Sequence, residues 1–594
     1  MSDKKTENRK QVKRLTAKSI IILAAVVIIV GFLVGAVIRK YTPSSHFVDL
    51  SRYSQSLFGD KTDYYGVKEG EASIFFENER IEETAIVENS FVYLDYDLIN
   101  EYLSKELYLD KNEKVLIYAI PSRLYKAFED ESYCMAGDER VEYTHIIYFQ
   151  RNGKYYISLD YLSEFENINY SFYTSPNRVV FKHRSGSYSY YDVTNECVLR
   201  EHADIRSDGL RVLKPGETLW CLKQTDGSNG RFAKLMTKDG IVGYAQTKDL
   251  SEVYEKKYTY EKRNYAYAGR VDANTERVVL GWHMINTESQ NSTFSDVVKK
   301  NTPMNVIVPT WLRVESEFGD VKSIGSIQYV EKAHAEGLKV WALIDNFDSM
   351  VNTLNFLSRT SSRTKIINEM IAEAKKLGVD GINIDFESLN SNIGPHFVEF
   401  VKEASIACRK ENLILSVDIL VPFSYNSYFR TETLGVFADY VAVMAYDEHY
   451  AGSETAGSVA SIGFTDFAIE LTKNKMDENR IIIGVPFFTR LWKEETKFMV
   501  TELSSQVMSM DAAQGLLDRN GIVPVWDSKT AQYYAEYGTD ELKYKIWLEN
   551  YASLNSKLSH ISKSGIRGVA IWRLGMEQSQ VWELFEKFAS GKME

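Results

Sequence analysis

The rhythm of apolar residues changes once, sharply, between residues 364 and 387. From Thr364 to Leu377 the residues Ile367, Met370, Ile371, Ala374 and Leu377 recur at helical spacing, and Gly378 just beyond them fits a left-handed helix stop. Alternation follows. In Asp380-Gly381-Ile382-Asn383-Ile384-Asp385-Phe386-Glu387, Ile382, Ile384 and Phe386 share one face of a strand, while Gly381, Asn383, Asp385 and Glu387 share the other. An amide and two carboxylates in a packed core would be costly, so the polar face is expected to line a solvated cleft.

From Val278 to the C-terminus, strand-like apolar runs alternate with helical patterns, the signature of a parallel α/β architecture. Eight strands are predicted: Val278–Trp282, Asn305–Thr310, Lys339–Ile344, Gly381–Glu387, Leu413–Ile419, Tyr440–Tyr446, Ile481–Val485 and Gly568–Trp572. Eight strands over about 300 residues fit a TIM barrel occupying 270–594, whose active site lies at the carboxyl ends of its strands, where Glu387 falls. The longest interval separates strands seven and eight, between Trp492 and Ile561, and predicts a small insertion. It holds Trp526, Tyr533, Tyr534 and Trp547, which by pattern alone read as core.

The preceding chain is multidomain and β-rich. Residues 47–200 carry short alternating runs of Tyr, Phe, Val and Ile with a weak repeat, Phe91-Val92-Tyr93-Leu94-Asp95 recurring as Tyr156-Ile157-Ser158-Leu159-Asp160 at an offset of 65 positions. Residues 204–253 read as a separate small module, its strands divided by Pro215-Gly216 and Asp239-Gly240 turns and ending Gly240-Ile241-Val242-Gly243-Tyr244. Glu252 to Arg263 is a charged connector.

Ser19 to Ile38 contains no charge, and about 20 such residues suffice to cross a bilayer as a helix. The preceding Lys4, Lys5, Arg9, Lys10, Lys13, Arg14 and Lys18 place residues 1–18 in the cytoplasm and the rest outside. A cleaved signal peptide is the rival reading, although the run exceeds the usual ~7–15 apolar residues and no small-residue cleavage site follows it. The net charge of -12 argues against a nucleic-acid partner, and 13% aromatic residues allow surfaces that stack on flat ligands such as sugar rings. Cys134, Cys197, Cys221 and Cys408 form no C-x-x-C pattern, so no metal site is expected; they read as small buried apolar residues, with a Cys134–Cys197 bridge left open.

The stretch D-G-I-N-I-D-F-E resembles the D-G-x-D-x-D-x-E motif on the fourth barrel strand of glycoside hydrolase family 18, which includes chitinases and peptidoglycan glucosaminidases. Asn383 departs from the pattern, as a similar asparagine does in the spore-cortex-lytic branch. Met444-Ala445-Tyr446-Asp447 is similar to the family's M-x-Y-D, and Ile571-Trp572-Arg573 stands where the family often places a tryptophan under the sugar in subsite minus one. The resemblance implies that Glu387 is the general acid and base and that the substrate's 2-acetamido carbonyl is the nucleophile, an exception to the two-carboxylate scheme. It implies that Asp385, about 7 Å away along the strand, orients the acetamido group and stabilises its positive charge. Tyr446 would hold the acetamido oxygen and Asn383 would hydrogen-bond Asp385. Met444, Asp447, Trp572 and, on the groove-deepening insertion, Trp547 would complete the substrate site. No cofactor is implied.

The 47–200 region looks like paired copper-amine-oxidase N-terminal-like modules, which carry no copper ligands, and is expected to be a stalk or wall attachment. The 204–253 region is similar to bacterial Src-homology-3-like modules that bind cell-wall peptides. Together these resemblances imply a membrane-anchored extracellular enzyme that cleaves β-1,4 bonds after N-acetylglucosamine in peptidoglycan. Chitin hydrolysis and non-catalytic glycan binding are the alternatives.

Overall fold

The computed structural model describes residues 16–50, 67–226, 230–299, 302–497 and 500–593. All eight predicted strands are present: β1 (Val278–His283), β2 (Val306–Val314), β3 (Lys339–Asp345), β4 (Gly381–Asp385), β5 (Ile414–Leu420), β6 (Tyr440–Met444), β7 (Ile481–Pro486) and β8 (Gly568–Trp572). Each pairs in parallel with the next, and β1 pairs with both β2 and β8, so the sheet closes into a barrel. β4 ends at Asp385 and β6 at Met444, which frees Glu387, Tyr446 and Asp447 from the ladder and puts them on the loops at the barrel's mouth.

Two apolar layers hold the barrel. Leu280, Trp282, Val308, Trp341, Leu343 and Ala442 fill its interior, and the outward residues of the strands pack against the surrounding helices. Gly381 is required here: a Cβ would lie 2.7 Å from the Ile414 carbonyl oxygen and 2.8 Å from the Trp341 ring. The helix before β4, Thr360–Leu377, stops at Gly378 with φ +74°, as its sequence predicts.

The insertion between β7 and β8 is a five-stranded antiparallel sheet running from Phe488 to Leu548. One face packs on the helix Met510–Asn520 through Ala513, Leu517, Ala535, Ile546 and Leu548. The other carries Trp492, whose indole donates to the Gly457 carbonyl at 2.8 Å.

The β-rich half divides differently from the expected 47–200 and 204–253 spans. The chain forms two compact units, one containing residues up to 104 with Phe149–Arg263, the other Lys105–Tyr148 with Asn264 onward. The Lys105–Tyr148 segment is an antiparallel five-stranded meander docked on two barrel helices, Thr360–Leu377 and Gly394–Lys410. Its Tyr108 hydroxyl meets Arg363, which is fully buried and also donates twice to Glu403, at 2.8 and 3.1 Å. In the other unit the small antiparallel sheet runs from Gly186 to Tyr258, wider than 204–253 at both ends. The repeat recurs as strand, helical turn and hairpin at an offset of 63, with Phe91–Asp95 matching Lys154–Ser158 and Leu107–Asp110 matching Tyr170–Tyr173. Strand ends and caps fix that offset, because Asp95 and Ser158 both cap the helical turn that follows.

Ala17–Tyr41 is one helix, long and apolar enough to cross a membrane, with no buried residue. The basic residues Lys4 to Arg14 lie outside the described residues. All four cysteines are free thiols.

Candidate active site

Barrel register brings the polar face of β4 between two neighbours. Asp385 stands level with Asp345 on β3, and Asn383 with Ser416 on β5, two residues before Asp418. Asn383 is fully buried; its amide donates to Asp418 Oδ1 at 2.7 Å and its carbonyl accepts from the Trp282 indole at 3.1 Å. The expected Asn383–Asp385 bond is therefore replaced by a bridge from β1 through β4 to β5. An aspartate at 383 would set a second carboxyl against Asp418 in place of this amide donor.

Asp385 is 6% exposed, and its Oδ1 has no hydrogen-bond partner. Burial, then the charges of Asp418, Glu387 and Asp345, hold its pKa well above the ordinary carboxylate range. Asp418 is raised as well, chiefly by burial. Asp345 differs, since Arg313 grips it bidentately at 2.6 and 2.9 Å and the Phe347 amide donates to it at 3.0 Å.

Glu387 opens to solvent just past β4. Its backbone is clamped by Asn346, whose side chain accepts from the Glu387 amide at 2.9 Å and donates to the Glu387 carbonyl at 3.0 Å. Enough protein surrounds the carboxyl that desolvation raises its pKa, with Asp447 and Asp345 adding to the shift. Tyr446 is buried, and desolvation followed by Asp385, Asp418, Glu387 and Asp447 keeps its phenol protonated and able to donate. Asp447, in a left-handed conformation (φ +56°), faces the Arg490 guanidinium at 3.6 Å. Arg490 comes from the insertion, which thus reaches the catalytic mouth.

The structure therefore gathers Glu387, Asp385, Asn383, Tyr446 and Asp447. Met444 lies in the same apolar layer, and Trp572 meets Trp282 edge-on at 6.1 Å. Trp547 instead packs against Tyr534, ring centroids 4.6 Å apart and tilted by 40°, within the insertion sheet. Sequence reasoning missed Asp345, Asp418, Arg313, Asn346 and Arg490. Asp345 and Asp418 had a signal, a carboxylate near the carboxyl end of a predicted strand.

A closed parallel barrel presenting one accessible acid of raised pKa beside a buried carboxyl at the carboxyl ends of its strands has the machinery of a glycoside hydrolase. The model of the glycosyl hydrolases family 18 matches residues 144–577, and the chain belongs to that family. It is 25% identical over 331 residues to the Bacillus subtilis glycosylase YvbX, covering 53% of this chain and 92% of that protein. It is 24% identical over 236 residues to the cortical fragment-lytic enzyme of Bacillus subtilis, covering 38% of this chain and 54%, about half, of that relative. Among solved structures, the spore cortex-lytic enzyme SleL of Bacillus megaterium aligns over 53% of this chain and 75% of its own, with 19% identity and a TM-score of 0.46. A chitinase from Chromobacterium violaceum aligns over 52% and 98%, with 19% identity and a TM-score of 0.46.

Proposed function

We propose that this glycoside hydrolase is held in the membrane by Ala17–Tyr41 with its barrel outside the cell, and that it cleaves β-1,4 bonds after N-acetylglucosamine in peptidoglycan. Glu387 protonates the glycosidic oxygen and then deprotonates water. The observation that carries the reading is the buried, unpartnered Oδ1 of Asp385 beside the accessible Glu387. A carboxylate so deep is poorly placed to attack a sugar, which favours the substrate's own acetamido oxygen as nucleophile. It is well placed to accept the acetamido N–H and to offset the positive charge of the cyclic oxazolinium intermediate. Tyr446 donates to the acetamido oxygen, and Asp447 and Trp572 hold the reacting sugar. The relative named as a cortical fragment-lytic enzyme supports peptidoglycan over chitin as the substrate.

Mass spectrometry of products from purified peptidoglycan and from chitin oligomers tests the proposal. New reducing ends at N-acetylglucosamine from peptidoglycan, with competitive inhibition by a thiazoline mimic of the oxazolinium, are expected. Cleavage confined to chitin oligomers would refute the substrate, and full activity on a sugar lacking the 2-acetamido group would refute the nucleophile. Protease added to intact cells should remove the barrel; complete protection would overturn the topology.

A further inference from the structure

The unit containing Phe149–Arg263 holds a crevice of about 240 Å³, formed by residues outside the barrel. Its floor is a row of rings. Trp220, Tyr190 and Tyr254 stand directly opposite one another on three adjacent antiparallel strands, so all three side chains share a face. Ring centroids are 4.9 Å apart for Trp220–Tyr190 and 6.1 Å for Tyr190–Tyr254. The row runs from core to solvent: Trp220 is 4% exposed and Tyr254 37%, leaving a tyrosine face open at the mouth.

Four lysines line the same crevice: Lys182, Lys238, Lys256 and Lys257. Lys256 follows Tyr254 on the same strand face, and the Lys182 ammonium lies 5.9 Å over the Trp220 ring. The three ammonium groups of Lys182, Lys238 and Lys256 are close enough that the latter two, after desolvation, lower the pKa of the first. Among the described residues no acid lines the crevice; Asp192 beside it accepts from the Thr218 and Tyr254 hydroxyls at 2.6 and 3.0 Å. Among the described residues none of the four lysines forms an ion pair, in a chain whose net charge is -12. Converging unpaired ammonium groups repel, and an anion between them would relieve that repulsion. Lysine, a compact point charge, suits a carboxylate or a phosphate equally.

We propose that this crevice is a second, non-catalytic carbohydrate site that takes an acidic sugar, its ring on Tyr254 and its carboxylate or phosphate among Lys182, Lys238 and Lys256. The full chain in detergent is titrated calorimetrically with N-acetylmuramic acid, N-acetylglucosamine 6-phosphate, neutral N-acetylglucosamine and inorganic phosphate. At least one acidic sugar should bind tenfold or more tightly than the neutral one, and the pair of acidic probes identifies the anion. Lys182→Ala with Lys256→Ala, and separately Tyr254→Ala, should each weaken that binding at least tenfold while hydrolysis of a short soluble oligomer is unchanged. Lys238→Gln with Lys256→Gln, both on exposed residues, serves as a second variant of assured folding. Equal binding of the neutral sugar, absence of binding by both acidic sugars, or unaltered affinity in the lysine variants would overturn the site. Binding of inorganic phosphate as tight as that of the acidic sugars, untouched by Tyr254→Ala, would overturn its carbohydrate character.

Discussion

Replacing Glu387 by glutamine keeps the side chain's shape and removes its transferable proton. The local backbone should not move, because Asn346 clamps the Glu387 amide and carbonyl through main-chain atoms that the substitution leaves intact. Losing general acid–base assistance is expected to slow hydrolysis by about 10²- to 10⁴-fold, which corresponds to about 3–5 kcal/mol of transition-state stabilisation. The pH profile adds a sharper test. Burial, then Asp447 and Asp345, raise the Glu387 pKa, so the acid remains protonated to higher pH than an exposed glutamate and activity falls as pH rises through that raised value. The residual activity of Glu387→Gln should lack this alkaline limb. The assay is kcat/KM across pH on a soluble N-acetylglucosamine oligomer, with calorimetry to show that binding survives. A variant with wild-type turnover, or one that retains the same alkaline limb, would refute the assignment.

Asp385→Asn should lower turnover yet raise thermal stability near neutral pH. The folded-state pKa of Asp385 is raised, so its contribution to stability is fully present below the unfolded pKa and is lost as pH rises through the folded value; the neutral amide escapes that loss. Calorimetric melting should show a gain of about 2–4 °C per kcal/mol relieved, vanishing in acid, and a lower melting temperature at neutral pH would contradict it. Asn383→Asp deletes the donor to Asp418 and sets two carboxylates face to face, which should cost about 1–3 kcal/mol at neutral pH and less in acid. Urea midpoints at two pH values check this, and unchanged stability at neutral pH would be the contrary result. Arg363→Met leaves Glu403 buried without its partner, an expected loss of about 3–5 kcal/mol, read as faster proteolysis within 105–148. Wild-type resistance there would argue against the meander's docking on the barrel.

Local periodicity was enough to reveal the barrel. Each strand buries one or both faces against a fixed layer, so apolar alternation marks Gly381–Asp385 and Tyr440–Met444 to within two residues, and Gly378 announces its helix stop through a conformation that glycine adopts without strain. The acid at 387 was legible for the same reason, as the last polar residue of an alternating run. Partners across strands were not. Asp418 lies 33 positions beyond Asp385, and nothing near it in the chain says that Asn383 will donate to it or that its charge will act on Asp385. Arg490 meets Asp447 because β7, which ends four residues before it at Pro486, pairs with β6, which ends three residues before Asp447. Residues 105–148 read as one more set of alternating strands, because a strand's pattern records that one face is covered and not which surface covers it. Buried groups such as Arg363 with Glu403, fixed by closure of the whole chain, settle that choice.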